Sequence, residues 1–161
     1  MRKYQIPAGN RHAFMLIELI AVLMMMAILC VFILSRDPDN SIKLSAESDI
    51  LRSHLRYIRN LALSDDSGDW QFELMGTNAY KLTDNNSGDV LLPGESSAVH
   101  TLPDAFTLEI SRDDGIDPGG KIVFDSWGSP ADSTGYSLTL TDSSSGKSRI
   151  IRIVKHTGFV K

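Results

Sequence analysis

One feature constrains the fold of this chain more than any other: an apolar run, AFMLIELIAVLMMMAILCVFIL over residues 13–34, whose single charge is Glu18. The 21 residues from Phe14 to Leu34, at about 1.5 Å each in a helix, reach roughly 31 Å, the thickness of a bilayer's hydrocarbon core. A helix buried in a soluble core rarely stays apolar on every side for that length. The run therefore reads as a membrane helix.

Charge sets its direction. Arg2, Lys3 and Arg11 precede the run with no acid among them, so residues 1–13 form a basic leader of +3. From Ser35 onward there are 13 basic and 19 acidic residues, a net of −6. The positive-inside bias places the N-terminus in the cytoplasm and the C-terminal part across the membrane. An acidic soluble part gives no direct indication of nucleic acid as a partner, since that would want a basic face. Cys30 is the only cysteine and lies within the run, so no disulfide forms inside the chain. It is expected to be a small buried apolar residue rather than a reactive thiol.

A secretory signal has an apolar core of about 7–15 residues followed by a small-residue cleavage site. This run is longer, and Ser35-Arg36-Asp37-Pro38 follows it. The plain reading is an uncleaved signal anchor. Glu18 argues for more than an anchor. An acid at the centre of a membrane helix costs about 2.5–3.5 kcal/mol, less near the interface, and an ionisable residue there usually has a functional partner.

The stretch Ala13-Phe14-Met15-Leu16-Ile17-Glu18-Leu19-Ile20 resembles the signal of type IV prepilins and type II secretion pseudopilins. In that family a short basic leader ends in a small residue, and Phe, three further residues and Glu open the apolar helix. The resemblance implies cleavage between Ala13 and Phe14 by the prepilin peptidase, N-methylation of Phe14, and pairing of Glu18 with a neighbouring subunit's Phe amine during assembly. A carboxylate in low dielectric gains most from such a cationic partner. Ala13 stands where the family usually has Gly, and Met15 where Thr or Ser is commoner.

Beyond the run, Asp37-Pro38-Asp39-Asn40 interrupts the apolar pattern, and Pro38 predicts a kink or short break. Leu44, Leu51, Leu55, Ile58 and Ala62 then fall on one helical face. Lys43, Asp49, Arg52, Arg56 and Arg59 point mostly elsewhere, a solvated face, and Asp65-Asp66-Ser67-Gly68 ends the helix. After residue 68 the period becomes two. Trp70, Phe72, Leu74, Tyr80 and Leu82 flank a turn at Gly76-Thr77-Asn78, predicting a hairpin over 70–83. Further strands are expected at 105–111, 121–125, 136–141 and 148–155, the last two joined by a long loop over 142–147. Short strands after one long helix predict an α+β fold with antiparallel sheet packed on the helix.

Three later stretches are similar to the H-type minor pseudopilins of type II secretion and related mannose-sensitive (MSHA-type) minor pilins: residues 51–64 at the helix end, residues 122–130 with Gly128-Ser129-Pro130, and residues 153–160 with Thr157-Gly158. Phe159 stands where that group often has Arg. The resemblance implies a pilin fold in which 1–13 is the leader, 14–34 the transmembrane and filament-core helix, 35–64 the kink and amphipathic helix, and 65–161 a periplasmic β domain. It implies as partners the prepilin peptidase, other pilins or pseudopilins of the same filament, and the inner-membrane assembly platform. The protein would reside in the bacterial inner membrane as a single span, and in a filament after assembly.

Motifs for chemistry are weak. His12, His54, His100 and His156 lack a second ligand at metal spacing and are expected on the surface or in loops. Gly146-Lys147-Ser148 lacks the first glycine of a phosphate-binding loop, and Ser144 and Lys147 have the Ser-x-x-Lys spacing without a helix to present them. Asp113-Asp114-Gly115-Ile116-Asp117 lacks the ligand pattern of a calcium loop and reads as an acidic turn. No cofactor, metal site or catalysis is expected. Two readings follow: a minor pilin or pseudopilin subunit of a secretion pseudopilus, an MSHA-type pilus or a DNA-uptake pilus, or an uncleaved, signal-anchored periplasmic binding domain.

Overall fold

Apolar pattern sorts the chain into two bodies, residues 1–37 and residues 38–161. The computed structural model describes residues 16–34, 39–65, 70–84 and 88–161. In the first body, α1 spans Leu16–Leu34. Its apolar side chains are exposed on every side, Ile17 at 72% and Met25 at 70% among them. Among the described residues this is one helix long and apolar enough to cross a membrane. Cys30, expected to be buried, is exposed on it. None of the window Leu16–Ile33 is buried, so burial of that side chain would come from lipid or from other helices.

The second body starts with α2, Asp39–Ser64. The kink expected over residues 37–40 falls largely outside the described residues, and Asp39 already belongs to α2. Leu44, Leu51, Leu55, Ile58 and Ala62 are buried as their spacing predicts, with Ser48 and His54 completing the stripe. The helix ends at Ser64, just ahead of the acidic and glycine-containing stretch.

Two antiparallel sheets receive that stripe. In the first, β1 (Trp70–Met75) and β2 (Ala79–Asp84) form the expected hairpin, with Phe72 opposite Leu82. Gly76 takes φ 71° at its turn, a left-handed value that a side chain would strain. Two short strands pair with successive parts of β2: β3 (Gly88–Val90) with its end and β4 (Val99–Thr101) with its start. Neither was expected, because three residues are too few to show a period of two. The second sheet has the order β5-β7-β8, with β5 at Phe106–Arg112, β7 at Tyr136–Asp142 and β8 at Ser148–Ile153. Between β5 and β7 in the chain, β6 (Lys121–Phe124) joins the first sheet beside β1.

Alternation drives the packing. Tyr136, Leu138 and Leu140 of β7 point inward while Ser137, Thr139 and Thr141 point out. Phe72, Tyr80, Leu82, Leu108, Phe124 and Ile151 join the α2 stripe in one core. Each such side chain contributes about 1.5–3 kcal/mol by leaving water. The result is the expected α+β architecture, an amphipathic helix on antiparallel sheet, with the strands divided between two sheets that share one core.

Candidate functional site

The residues predicted to act in assembly lie at and before the start of α1. Ala13 and Phe14 fall outside the described residues. Glu18 sits in the first turn of α1, exposed, and apolar neighbours flank it. A carboxylate in a first helical turn is favoured by the unpaired N–H groups there. Glu18 is also the only charged residue of α1.

In the second body the three stretches singled out in the sequence meet at one place. Gly128 has φ 66°, and a Cβ there would lie 2.9 Å from Leu63 Cγ and 3.0 Å from Arg59 Cγ. Gly158, at φ 60°, packs so closely on the Gly128 backbone carbonyl that a side chain would collide with it. Ser129 Oγ donates to the His156 carbonyl at 2.7 Å, and Arg59 Nε to the Thr157 carbonyl at 3.1 Å. The helix end, the Gly-x-Pro turn and the Thr-Gly tail thus close the domain against one another. Arg56, read from the sequence as simply solvated, also turns toward the tail and donates to the Val160 carbonyl at 3.4 Å. Beside this junction, Trp127 is 79% exposed.

Histidine placement departs from expectation. His156 is exposed, at φ 63°, but His54 and His100 are buried; His12 lies outside the described residues. His54 Nε2 faces the Pro93 carbonyl at 3.2 Å and can only donate to it. Its Nδ1 is then free to accept from the Tyr80 hydroxyl at 2.9 Å, which fixes a neutral tautomer. Burial is the largest influence on His54 and lowers its pKa; the Pro93 carbonyl opposes this, and His100 adds to the lowering. Burial likewise raises the Tyr80 hydroxyl well above its usual range. His100 stands between two carboxylates, Glu95 at 2.6 Å and Glu47 at 3.3 Å. The network ties residues 93–95 to α2. The sequence signal that could have revealed it was positional: His54 lies three residues after Leu51 and four before Ile58, within the buried stripe.

The other motifs resolve as turns. Asp142 accepts from Ser144 N at 2.9 Å, Ser144 Oγ at 2.6 Å and Ser145 Oγ at 2.6 Å. These bonds hold its carboxyl down at about 2, and Gly146 turns at φ 67°. In the acidic loop, Asp114 pairs with Arg112 at 2.7 Å and caps Ile116 N, while Asp117 caps Gly119 N. Among the described residues no group of three or more His, Cys, Asp or Glu is arranged to hold a metal ion.

No protein-family model and no curated protein sequence matches the chain. Solved structures do. The type IV minor pilin FimU of Pseudomonas aeruginosa, in a P21 crystal form, aligns over 75% of this chain and 88% of its own at 14% identity and a TM-score of 0.53. The same minor pilin in a P65 form aligns over 73% and 90% at 17% identity and a TM-score of 0.51. The fold is type IV pilin-like. At these identities the likeness bears on architecture, and the finer assignment to an H-type or MSHA-type group does not follow from it.

Proposed function

We propose that this protein is a minor pilin or pseudopilin subunit that assembles through its N-terminal helix into a type II secretion pseudopilus or a type IV pilus. The observation that carries the reading is Glu18, an acid in the first turn of a helix that is otherwise uncharged and exposed over Leu16–Ile33, on a chain whose second body has a pilin-like fold. Lipid offers no hydrophobic gain between such helices, so packing and a paired charge have to hold them together. In this reading residues 1–13 are a cytoplasmic leader removed by the prepilin peptidase. Phe14 becomes the methylated N-terminus, and its amine meets Glu18 of a neighbour. Residues 14–34 form the span and later the filament core, and the β domain lies in the periplasm. The inner-membrane assembly platform would draw the subunit into the filament.

Mass spectrometry of the membrane-extracted protein, co-expressed with its cognate peptidase, tests the processing step. The expected mature N-terminus is Phe14 carrying a methyl group; any other N-terminus overturns it. Glu18→Ala tests the assembly step. The variant should still insert in the membrane but fail to enter filaments. An uncleaved, anchored binding domain would instead keep its leader and tolerate Glu18→Ala without loss of function.

A further inference from the structure

The C-terminal tail fills only part of the space between β8 and α2. Arg152 N donates to the Lys161 carbonyl at 3.3 Å, Lys161 N returns the bond at 2.9 Å, and Val154 N donates to the Phe159 carbonyl at 2.9 Å. Arg152 therefore turns its backbone groups away from β7, and by the two-residue period Ser148 and Ile150 do the same. On its other flank the tail accepts from Arg56 at the Val160 carbonyl and from Arg59 at the Thr157 carbonyl. Residues 157–161 thus run along β8 with α2 beside them, and Val160 is buried. Earlier in β8 the same space is open. A cleft of about 530 Å³ has Ser45, Ser48, Asp49 and Arg52 of α2 on one wall and residues 148–150 of β8 on the other. Among the described residues no backbone hydrogen bond takes up the outward N–H and C=O groups of Ser148 and Ile150. Ser48 is 4% exposed, and its hydroxyl likewise has no partner among those residues. Asp49 holds Arg52 at 2.6 Å, whereas among the described residues Arg149 meets no carboxylate and reaches the Ser45 hydroxyl at 3.2 Å.

We infer that this cleft takes an extended segment of a second, different protein, which adds to the outer edge of β8 in line with the tail and sets a carboxylate beside Arg149. The backbone of the segment satisfies Ser148 and Ile150, and its side chains at alternate positions give the selectivity, as in other strand additions. Arg149 lies opposite Leu140, so its side chain is on the face turned to α2. A residue of the segment opposite Arg149 shares that face and is best an acid. Its neighbour opposite Ile150, which is 54% exposed, is best apolar. The partner is therefore recognised by an acid next to an apolar residue in a segment free to extend. This chain's own such pair in β5, Glu109-Ile110, is not free, because β5 is paired along its length with β7 and anchored by buried Leu108. The inference does not depend on the assembly reading above.

Hydrogen exchange of the full-length protein in detergent, resolved to single amides, tests it, with the capped peptide acetyl-Thr-Ile-Glu-Thr-Val-amide titrated into the millimolar range. Exchange should slow at Ser148 and Ile150 and stay as it was at Arg149 and Ile151, whose N–H groups already face β7. Arg149→Glu should weaken binding by at least about tenfold. The same peptide with Lys in place of Glu should then bind that variant better than the parent. Ile150→Pro removes one outward donor at an edge position where proline is tolerated, keeps the pairing with β7, and should abolish the slowing at Ser148. No slowing at Ser148 and Ile150, slowing spread evenly along β8, or binding indifferent to Arg149→Glu would overturn the proposal. Slowing at these two amides as the protein alone is concentrated would make a second copy the occupant and overturn it as well.

Discussion

The two helices of this chain stand in opposite relations to water. α1, with 19 residues, is the more apolar, yet Leu16, Ile17, Met25 and Ile33 on its different sides are all at least 68% exposed. α2, with 26 residues, is polar over most of its surface, yet Leu51, Leu55, Ile58 and Ala62 are wholly buried. Apolar content alone thus does not decide burial within a chain. Periodicity does. A stripe on one face is matched by sheets from the same molecule, whereas an apolar surface on all faces calls for lipid or other helices around it. α2 specifies a fold, and α1 specifies an environment.

The largest effect should come from truncating that stripe. Leu55→Ala is expected to destabilise the second body by about 2–5 kcal/mol, whereas Leu23→Ala on α1 should stay within about 0.5 kcal/mol. Thermal unfolding in detergent, followed by near-ultraviolet circular dichroism of the aromatic residues, reads both. An equal fall for Leu23→Ala would show that α1 also supports the β domain. Next comes the place where the tail closes on the end of α2. Gly158→Ala meets both a left-handed backbone and the Gly128 carbonyl, so it should cost at least about 1–3 kcal/mol. A loss no larger than that of an exposed substitution such as Ser145→Ala would mean that the tail yields readily and does not hold the helix end.

Much of this contrast was legible in the sequence because it is a contrast of periods. The unbroken run to Leu34, the spacing of Leu44 through Ala62, and the alternation about Gly76 each identify an element and the face it buries. The strands at β5, β6, β7 and β8 also lie where they were expected, to within a residue or two at most ends. β3 and β4 did not show, being too short for a pattern. The split into two sheets was hidden because it depends on β6 leaving the neighbourhood of β5 to pair with β1, a long-range choice that local alternation does not record. The buried histidines were missed for a different reason. Titratable side chains are read from sequence as solvated, and the partners that make burial tolerable here, Pro93, Tyr80, Glu95 and Glu47, come from distant parts of the chain. Glu18 was legible as an anomaly in its surroundings, and the role proposed for it in assembly rests on that anomaly together with the resemblance of the sequence around it.

The smallest expected effect sharpens the account of the α2 stripe. His54 is its one aromatic polar member, held neutral with Nε2–H on the Pro93 carbonyl and Nδ1 accepting from Tyr80. Protonation would put a proton on Nδ1 and remove the acceptor of the buried Tyr80 hydroxyl. It would also place a cation beside His100, whose ring centroid is 5.6 Å away. Glu47 and Glu95 oppose this cost, but burial outweighs them and the folded pKa lies below its ordinary value. The unfolded chain therefore binds this proton more readily than the folded one. The contribution of a neutral His54 is fully present above pH about 6.5, the unfolded value. It declines as pH falls from there and is lost on passing through the lower folded pKa. His54→Phe should lower the midpoint near pH 8, since it strands the Tyr80 hydroxyl and the Pro93 carbonyl at a cost of about 1–3 kcal/mol. It should also flatten the pH dependence between about pH 7 and about pH 5 by a few degrees of Tm relative to the parent. An unchanged slope in the variant would mean that other groups govern the acid response.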